Sequence, residues 1–153
     1  MATAAGARRA TRLSMFDRAS KFVLLRMVAR PNAVLVARAI LSTMSPDRVA
    51  VKTLTADYGA KFARHRGVAF GLGAGFSFAK PYQAWQRGLN EHTNGLVRQY
   101  LPKGICFDHL SPARLRIVQN HLNSRPHPVL GYRTLKEVFD QMTQEERGGA
   151  IGL

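Results

Sequence analysis

The order of strand and helix patterns is the feature that most constrains the fold of this chain. Two apolar runs, residues 12–16 and 22–28, are separated by a polar turn, which is typical of a β-hairpin. Single short strands are predicted later, at residues 49–56 and 76–79, and helical patterns lie at residues 31–44, 61–70, 85–102, 111–122 and 134–139. A hairpin followed by helices that alternate with strands predicts an α/β domain, in which helices cover the faces of a small mixed sheet.

Apolar spacing within the helical patterns predicts which side of each helix is buried. The predicted buried positions are Val34, Leu35, Ala39 and Leu41 in the first helix, Phe62, Ala69 and Phe70 in the second, and Leu115, Val118 and Leu122 in the fourth. Ser111 and Thr134 stand where N-caps are expected, and Glu137 completes a capping box with Thr134. Residues 143–153 are predicted to be a frayed tail.

The composition favours a folded protein that binds a polyanion. With 153 residues, 46% of them hydrophobic, the chain is long enough for one domain with its own core. Its 23 Lys and Arg outnumber 9 Asp and Glu, for a net charge of +14, which favours binding to nucleic acid over binding to a membrane. A single cysteine excludes an internal disulfide framework, and no apolar run reaches the length of about 18 residues that a membrane span needs. We therefore expect a cytoplasmic protein.

Residues 85–104 predict one long helix with two different sides. Trp85, Leu89, Leu96 and Tyr100 fall on one side at helical spacing and are predicted to face the core. The opposite side carries an acid among basic and amide groups: Arg87, Glu91, Asn94 and Arg98. Such a side is either a solvated surface or part of a binding site.

Asp57 is a candidate partner for Glu91. It stands at the end of a predicted strand, where active sites of α/β sheets gather, and 33 positions separate it from Glu91. Two carboxylates that converge in this way can hold Mg²⁺, which prefers oxygen ligands. Pairs of acids in a sequence are more often two surface residues, so both interpretations stay open on spacing alone.

Several short motifs around these residues resemble one family, the IS-thirty-type bacterial insertion-sequence transposases. The motifs are LTADYG at 54–59, PY at 81–82, QRGLNEHTNG at 86–95, RQY at 98–100, PKG at 102–104, LN at 122–123, RP at 125–126 and LGYRT at 130–134. The resemblance implies a ribonuclease H-like integrase catalytic core that cuts and joins DNA with a D-D-E triad and Mg²⁺ or Mn²⁺. It implies that Asp57 is the second aspartate and metal ligand, and that Glu91 is the glutamate and the other ligand.

The chain departs from the family pattern at three motif positions. Tyr58 replaces the usual asparagine, Lys61 a glutamate and Leu135 a proline. A phenol in place of an amide beside a metal ligand changes the hydrogen bonds to that ligand and commonly weakens metal binding.

The first aspartate of the triad has no counterpart in the expected place. In this fold it lies on a strand before the hairpin, and residues 1–13 contain no Asp or Glu. We therefore predict a disordered basic segment at 1–13, a partial catalytic core lacking its first strand at 14–140, and a flexible tail at 141–153. Asp17 is predicted to be a turn residue; the alternative is that Asp17 or a partner chain supplies the third carboxylate.

The family resemblance and the positive charge together predict DNA as the partner. Candidate DNA contacts are Arg87, Asn94, Arg98 and Lys103, with a plain solvated face as the alternative for these residues. The predicted function is that of a transposase core whose strand transfer is lost or impaired. The alternative is a non-catalytic DNA-binding protein that modulates a full-length transposase, through association with it or with itself.

Overall fold

A computed structural model describes most of the chain: residues 10–17, 19–30, 32–47, 50–56, 60–78, 84–102, 105 and 109–151. Within the helices, only the backbone is described at 84–87, 89–90, 93 and 147–151.

The first two strands form the predicted hairpin. β1 (Thr11–Phe16) and β2 (Val23–Val28) are antiparallel, with Thr11 opposite Val28 and Phe16 opposite Val23. Because β1 begins at Thr11 and Leu13 is buried, regular structure starts before the boundary that we predicted at residue 14. The domain boundaries themselves stay predictions.

The other two strands form a second small sheet. β3 (Thr53–Ala56) and β4 (Gly75–Phe78) are parallel, with Thr53 opposite Gly75 and Ala56 opposite Phe78. Parallel neighbours need a crossover, and α2 (His65–Leu72) provides it, ending on Gly73 in the left-handed conformation that glycine adopts without strain. In the described part of the chain, the predicted mixed sheet is thus two separate two-stranded sheets.

Four further helices surround the strands: α1 (Ala33–Met44), α3 (Ala84–Tyr100), α4 (Pro112–Asn123) and α5 (Leu135–Ile151). The Ser111 side chain accepts a hydrogen bond from the Arg114 N–H and caps α4, as predicted. The capping box at the start of α5 is also confirmed: the Thr134 N–H donates to Glu137 Oε2 (2.8 Å), and the Glu137 N–H donates to Thr134 Oγ1 (3.1 Å).

The last helix is longer than predicted. We expected it to end near Phe139 and to be followed by a frayed tail, but α5 continues to Ile151. Thr143 is buried within it, and Glu146 forms a salt bridge with Lys52 at 2.7 Å. These contacts with the rest of the fold stabilise a segment whose own sequence has little apolar periodicity.

Two predicted buried faces are rotated in the structure. In α1 the buried residues are Val36 and Ile40, whereas Val34 is 42% exposed. In α2 they are Val68 and Leu72, whereas Phe70 is 92% exposed. α1 packs on β2 and on α2, whereas α2 packs on α1 and on β4, so these neighbours select which side of each helix is buried. The predicted face of α4 is confirmed.

The hairpin separates two hydrophobic clusters. One contains side chains from the hairpin, α1 and α2: Leu13, Met15, Val28, Val36, Ile40, Val68, Leu72 and Ala74. The other contains side chains from β2, α4 and the end of α3: Val23, Leu25, Val97, Leu101, Leu115, Val118 and Leu122. Paired residues of an antiparallel ladder share a face, so alternation along β1 and β2 determines which cluster each side chain joins.

Candidate functional site

The carboxyl ends of β3 and β4 lie side by side, because the parallel register places Ala56 opposite Phe78. His65 packs at this end, with its ring 4.9 Å from that of Phe78 and its Nδ1 3.1 Å from the carbonyl oxygen of Phe62. Asp57 follows Ala56 directly in sequence but lies outside the described residues, so its role stays a prediction.

The described polar side chains of α3 are accessible to solvent to different degrees. Glu91 and Arg98 are exposed and Asn94 is half-buried, all three on the same side of the helix. The side chain of Arg87 and the whole of Lys103 lie outside the described residues. A carboxylate, an amide and a guanidinium therefore share one accessible surface.

The apolar side of α3 is centred one residue away from the predicted stripe. Val97 and Leu101 are the buried residues, at 0% and 1% exposure, while Leu96 and Tyr100 pack partly buried against the same cluster. The side chains of the other two stripe residues, Trp85 and Leu89, are outside the described part. Val97 and Leu101 share one cluster with side chains of β2 and α4, so these neighbours determine which side of α3 is buried.

Arg12 joins this polar side from β1, which was not predicted. Its Nη2 donates to Asn94 Oδ1 at 3.5 Å, and its Nε donates to Ser14 Oγ at 3.1 Å. Arg12 and Asn94 are 82 positions apart, so no local pattern could have indicated the contact.

The surroundings of Arg12 disfavour its positive charge. Burial lowers the pKa of the Arg12 guanidinium, and the nearby charge of Arg98 lowers it further. The group stays protonated because an arginine side chain does not lose its proton in proteins. Two guanidinium groups close enough to repel each other are an arrangement that a bound anion, such as a phosphate, would stabilise.

Asp17 has its predicted place in the hairpin turn. Its Oδ2 accepts hydrogen bonds from both the N–H and the Oγ of Ser20, each at 2.7 Å, and Ser20 is fully buried. These bonds explain the acid as a turn residue. Among the described residues, no group of three or more His, Cys, Asp or Glu side chains is arranged to hold a metal ion.

A cavity of about 1080 Å³ lies between the two sheets. Consecutive residues of β1 and of β3 line it, together with Asn94 and side chains from α1 and α5. The polar side of α3 thus reaches the rim of this cavity through Asn94 and Arg12.

No described helix has the length and apolar character needed to cross a membrane.

Proteins with similar sequences are transposases. The chain is 39% identical over 133 residues to the transposase for insertion sequence element IS4351 of Bacteroides fragilis, covering 87% of this chain and 41% of that protein. It is 36% identical over 132 residues to the transposase InsI for insertion sequence element IS30C of Escherichia coli K12, covering 84% and 34%. The chain therefore spans less than half the length of these relatives. No protein-family model matches it.

A solved structure with a similar fold is the catalytic core domain of BIV integrase. The TM-score is 0.66 at 19% identity, over 93% of this chain and 99% of that domain. At this identity the likeness shows the fold, which is the ribonuclease H-like one that the motifs implied. Over most of its length the chain is similar to IS30-family and related insertion-sequence transposases, which is the family that the motifs at residues 54–59 and 86–95 predicted.

Proposed function

We propose that this chain, acting in the bacterial cytoplasm, binds DNA through a basic surface made by Arg12 and the polar side of α3. The observation that carries the proposal is the grouping of Arg12, Asn94 and Arg98 next to the exposed Glu91. Guanidinium and amide groups bind phosphate oxygens, and the net charge of +14 attracts a polyanion over a longer range. The relatives, which are named as transposases, support DNA as the substrate.

Glu91 and Asp57 are the residues that would hold Mg²⁺ or Mn²⁺. The described member of the pair is exposed, and its carboxylate is of the ligand type that Mg²⁺ prefers. Mg²⁺ commonly takes one or two protein carboxylates and completes its shell with water and phosphate, so this donor set fits the ion. Bound there beside DNA, such an ion would help to activate the attacking oxygen and to stabilise the leaving one in phosphodiester transfer.

We further propose that the 153-residue chain does not by itself cut or join DNA. The Asp17 carboxylate is hydrogen-bonded to Ser20 within its own turn. Tyr58 and Lys61 also replace the amide and the acid that the family motif places beside the second aspartate. Both changes weaken the support that a metal-binding carboxylate receives from its neighbours.

Titration of DNA binding against salt tests the first proposal. Arg98→Ala should weaken binding and reduce the slope of log affinity against log salt by about one unit, because one phosphate contact is lost. Arg38→Ala removes the same charge from the exposed side of α1 and should change the slope less. Equal effects of the two variants would show that binding depends on net charge alone and not on the α3 surface.

Incubation of labelled DNA with Mg²⁺ or Mn²⁺ tests the second proposal. We expect neither nicked nor joined products at any salt concentration at which the DNA is bound. Strand transfer that disappears in Glu91→Ala and in Asp57→Ala would overturn this proposal. If that activity also disappears in Asp17→Ala, Asp17 would be assigned as the third carboxylate.

A further inference from the structure

The loop between α4 and α5 is held in place by its own backbone hydrogen bonds. Pro126 and Thr134 form an antiparallel bridge at its base. The His127 N–H donates to the Arg133 carbonyl oxygen at 3.0 Å, and the His127 carbonyl oxygen accepts from the Tyr132 N–H, also at 3.0 Å. These bonds join the two sides of the loop and fix the turn between them.

That turn holds a tyrosine in a backbone conformation that suits glycine. The Arg133 N–H donates to the Leu130 carbonyl oxygen at 3.4 Å, which closes a four-residue β-turn. Its central residues are Gly131 and Tyr132, and both have positive φ, 65° and 61°, as in a type I′ turn. Such positions favour glycine and asparagine, whereas a bulky side chain is strained there. The backbone at Tyr132 is therefore strained.

Contacts within the chain do not explain the tyrosine at this position. Its side chain is 75% exposed, and none of the residues that the structure describes forms a hydrogen bond or a ring contact with it. Val129, on the same loop, is 79% exposed. A strained residue whose side chain stabilises nothing in its own fold is a candidate for contact with another molecule.

Two exposed arginines stand at the base of the loop. Arg125 and Arg133 directly precede the two residues that form the bridge. The Arg133 guanidinium is oriented, since its Nη1 donates to Gln141 Oε1 at 2.6 Å. The acids that follow are engaged within α5: Glu137 in the capping box and Asp140 in a salt bridge with a lysine one turn earlier. The loop therefore presents an aromatic ring near two positive charges.

We propose that this loop is a second DNA contact, in which the Tyr132 ring stacks on an unpaired base and Arg125 and Arg133 bind adjacent phosphates. Proteins that hold single strands combine aromatic side chains, on which bases stack, with basic groups along the nucleic-acid backbone. A ring on a fixed loop reaches the face of a base only where that base has left the stack, so the ligand is DNA with an unpaired base. The net charge of +14 favours such a polyanion over a protein partner. The proposal rests on the proposed DNA binding but assigns it different residues.

Fluorescence anisotropy with two labelled DNAs tests the preference. One DNA is a fully paired duplex, and the other is the same duplex with one unpaired 2-aminopurine, a base whose fluorescence falls when it stacks on an aromatic ring. We expect the chain to bind the second DNA about fivefold more tightly, because one base stacks on one aromatic side chain. At saturation, the 2-aminopurine should be dimmer in the complex with the unaltered chain than in the complex with Tyr132→Ala.

Replacements at Tyr132 separate base stacking from a structural role. Tyr132→Phe keeps the ring and should keep the preference for the unpaired base, whereas Tyr132→Ala should abolish it. Tyr132→Gly should also abolish it and should raise the Tm by about 2 °C, because glycine adopts positive φ without strain. Phe70→Ala removes another exposed aromatic ring, on α2, and should leave the preference unchanged.

Several results would overturn the proposal. They are equal affinity for the two DNAs, a preference that survives in Tyr132→Ala, and a lower Tm for Tyr132→Gly, which would show that the ring stabilises the fold. Dimers of the chain that sediment as such and dissociate in Tyr132→Ala would assign the loop to contact with a second copy instead.

The α3 surface is distinguished from the loop by Arg98→Ala. That variant should weaken binding to both DNAs by the same factor and leave the preference intact. Binding without a preference would overturn only the role of the loop, whereas failure of the unaltered chain to bind either DNA would overturn both proposals.

Discussion

The two edges of the hairpin differ in whether their backbone groups have hydrogen-bond partners. On the outer edge of β2, the Val23 N–H donates to Asn123 Oδ1 (2.8 Å) and Asn123 Nδ2 donates to the Val23 carbonyl oxygen (2.7 Å). Two residues further along β2, the Leu25 N–H donates to Gln119 Oε1 at 2.8 Å. On the far edge of β1, the corresponding groups of Arg12, Ser14 and Phe16 face the cavity without a described partner.

Side chains of α4 close the outer edge of the β1–β2 sheet. Gln119 and Asn123 are four residues apart on α4, so their side chains lie on one side of the helix. Residues two apart on a strand direct their backbone to the same edge, and Val23 and Leu25 are such a pair. The two amides therefore pair with the β2 edge as a neighbouring strand would. An edge closed in this way cannot recruit another chain, whereas an open one can.

Replacement of Asn123 should destabilise the folded protein the most, because it removes both hydrogen bonds that close the β2 edge at Val23. Asn123 is 3% exposed, and Asn123→Leu would leave both backbone groups of Val23 buried and unpaired. We expect the free energy of unfolding to fall by about 3 kcal/mol, measured by urea denaturation. Asn120→Ala, on the exposed side of the same helix, should change it by less than about 0.5 kcal/mol. Equal stability of Asn123→Leu and the unaltered chain would show that α4 does not close the edge.

Replacement of Gln119 should have a smaller effect, because only the Leu25 N–H loses its partner and Gln119 is half-buried. For Gln119→Leu we expect a loss of about 1 kcal/mol and faster hydrogen exchange at Leu25. Gln119→Glu keeps an oxygen acceptor and should restore most of the protection at that amide. If exchange at Leu25 is the same in all three proteins, the contact does not protect the edge.

The smallest effect should come from the cap of α5, the helix that lines the open side. Hydrogen bonds from the Thr134 backbone and then from its side chain lower the pKa of Glu137, and the charge of Arg133 lowers it further. Because the folded pKa lies below the ordinary value, the stabilisation is present above that value and is lost as pH falls through the folded pKa. Glu137→Gln should therefore lower the Tm slightly at neutral pH and by less at about pH 3. Glu145→Gln, an exposed acid on the same helix, serves as the control; a Tm difference for Glu137→Gln that does not depend on pH would contradict the assignment.

Local patterns predicted the elements that depend on neighbouring residues. The hairpin, the Ser111 cap and the capping box at Thr134 were all predicted, since each involves residues within a few positions of one another. The motifs at residues 54–59 and 86–95 indicated the family, which the transposase relatives confirm.

Contacts between distant parts of the chain were not predictable. Asn123 lies just past the helical pattern predicted at residues 111–122, yet its side chain is buried and hydrogen-bonded to Val23, 100 positions away. Phe70 was predicted to be buried and is 92% exposed, because Val68 and Leu72 occupy the side of α2 that packs into the core with α1. Apolar spacing indicates that a helix is amphipathic, but which of two overlapping apolar sides is buried depends on the partner surface.

Residue identities and their spacing were enough to indicate the family, the α/β class, the excess of positive charge and the candidates Asp57 and Glu91. Each of these depends on residue identity and on short spacings, which are independent of how the elements pack. The folded chain, in contrast, brings Arg12 next to Asn94 and Arg98, and it closes one hairpin edge while the other faces a cavity. The physical reason is that backbone groups are the same at every residue, so whether an edge is paired depends on what folds against it.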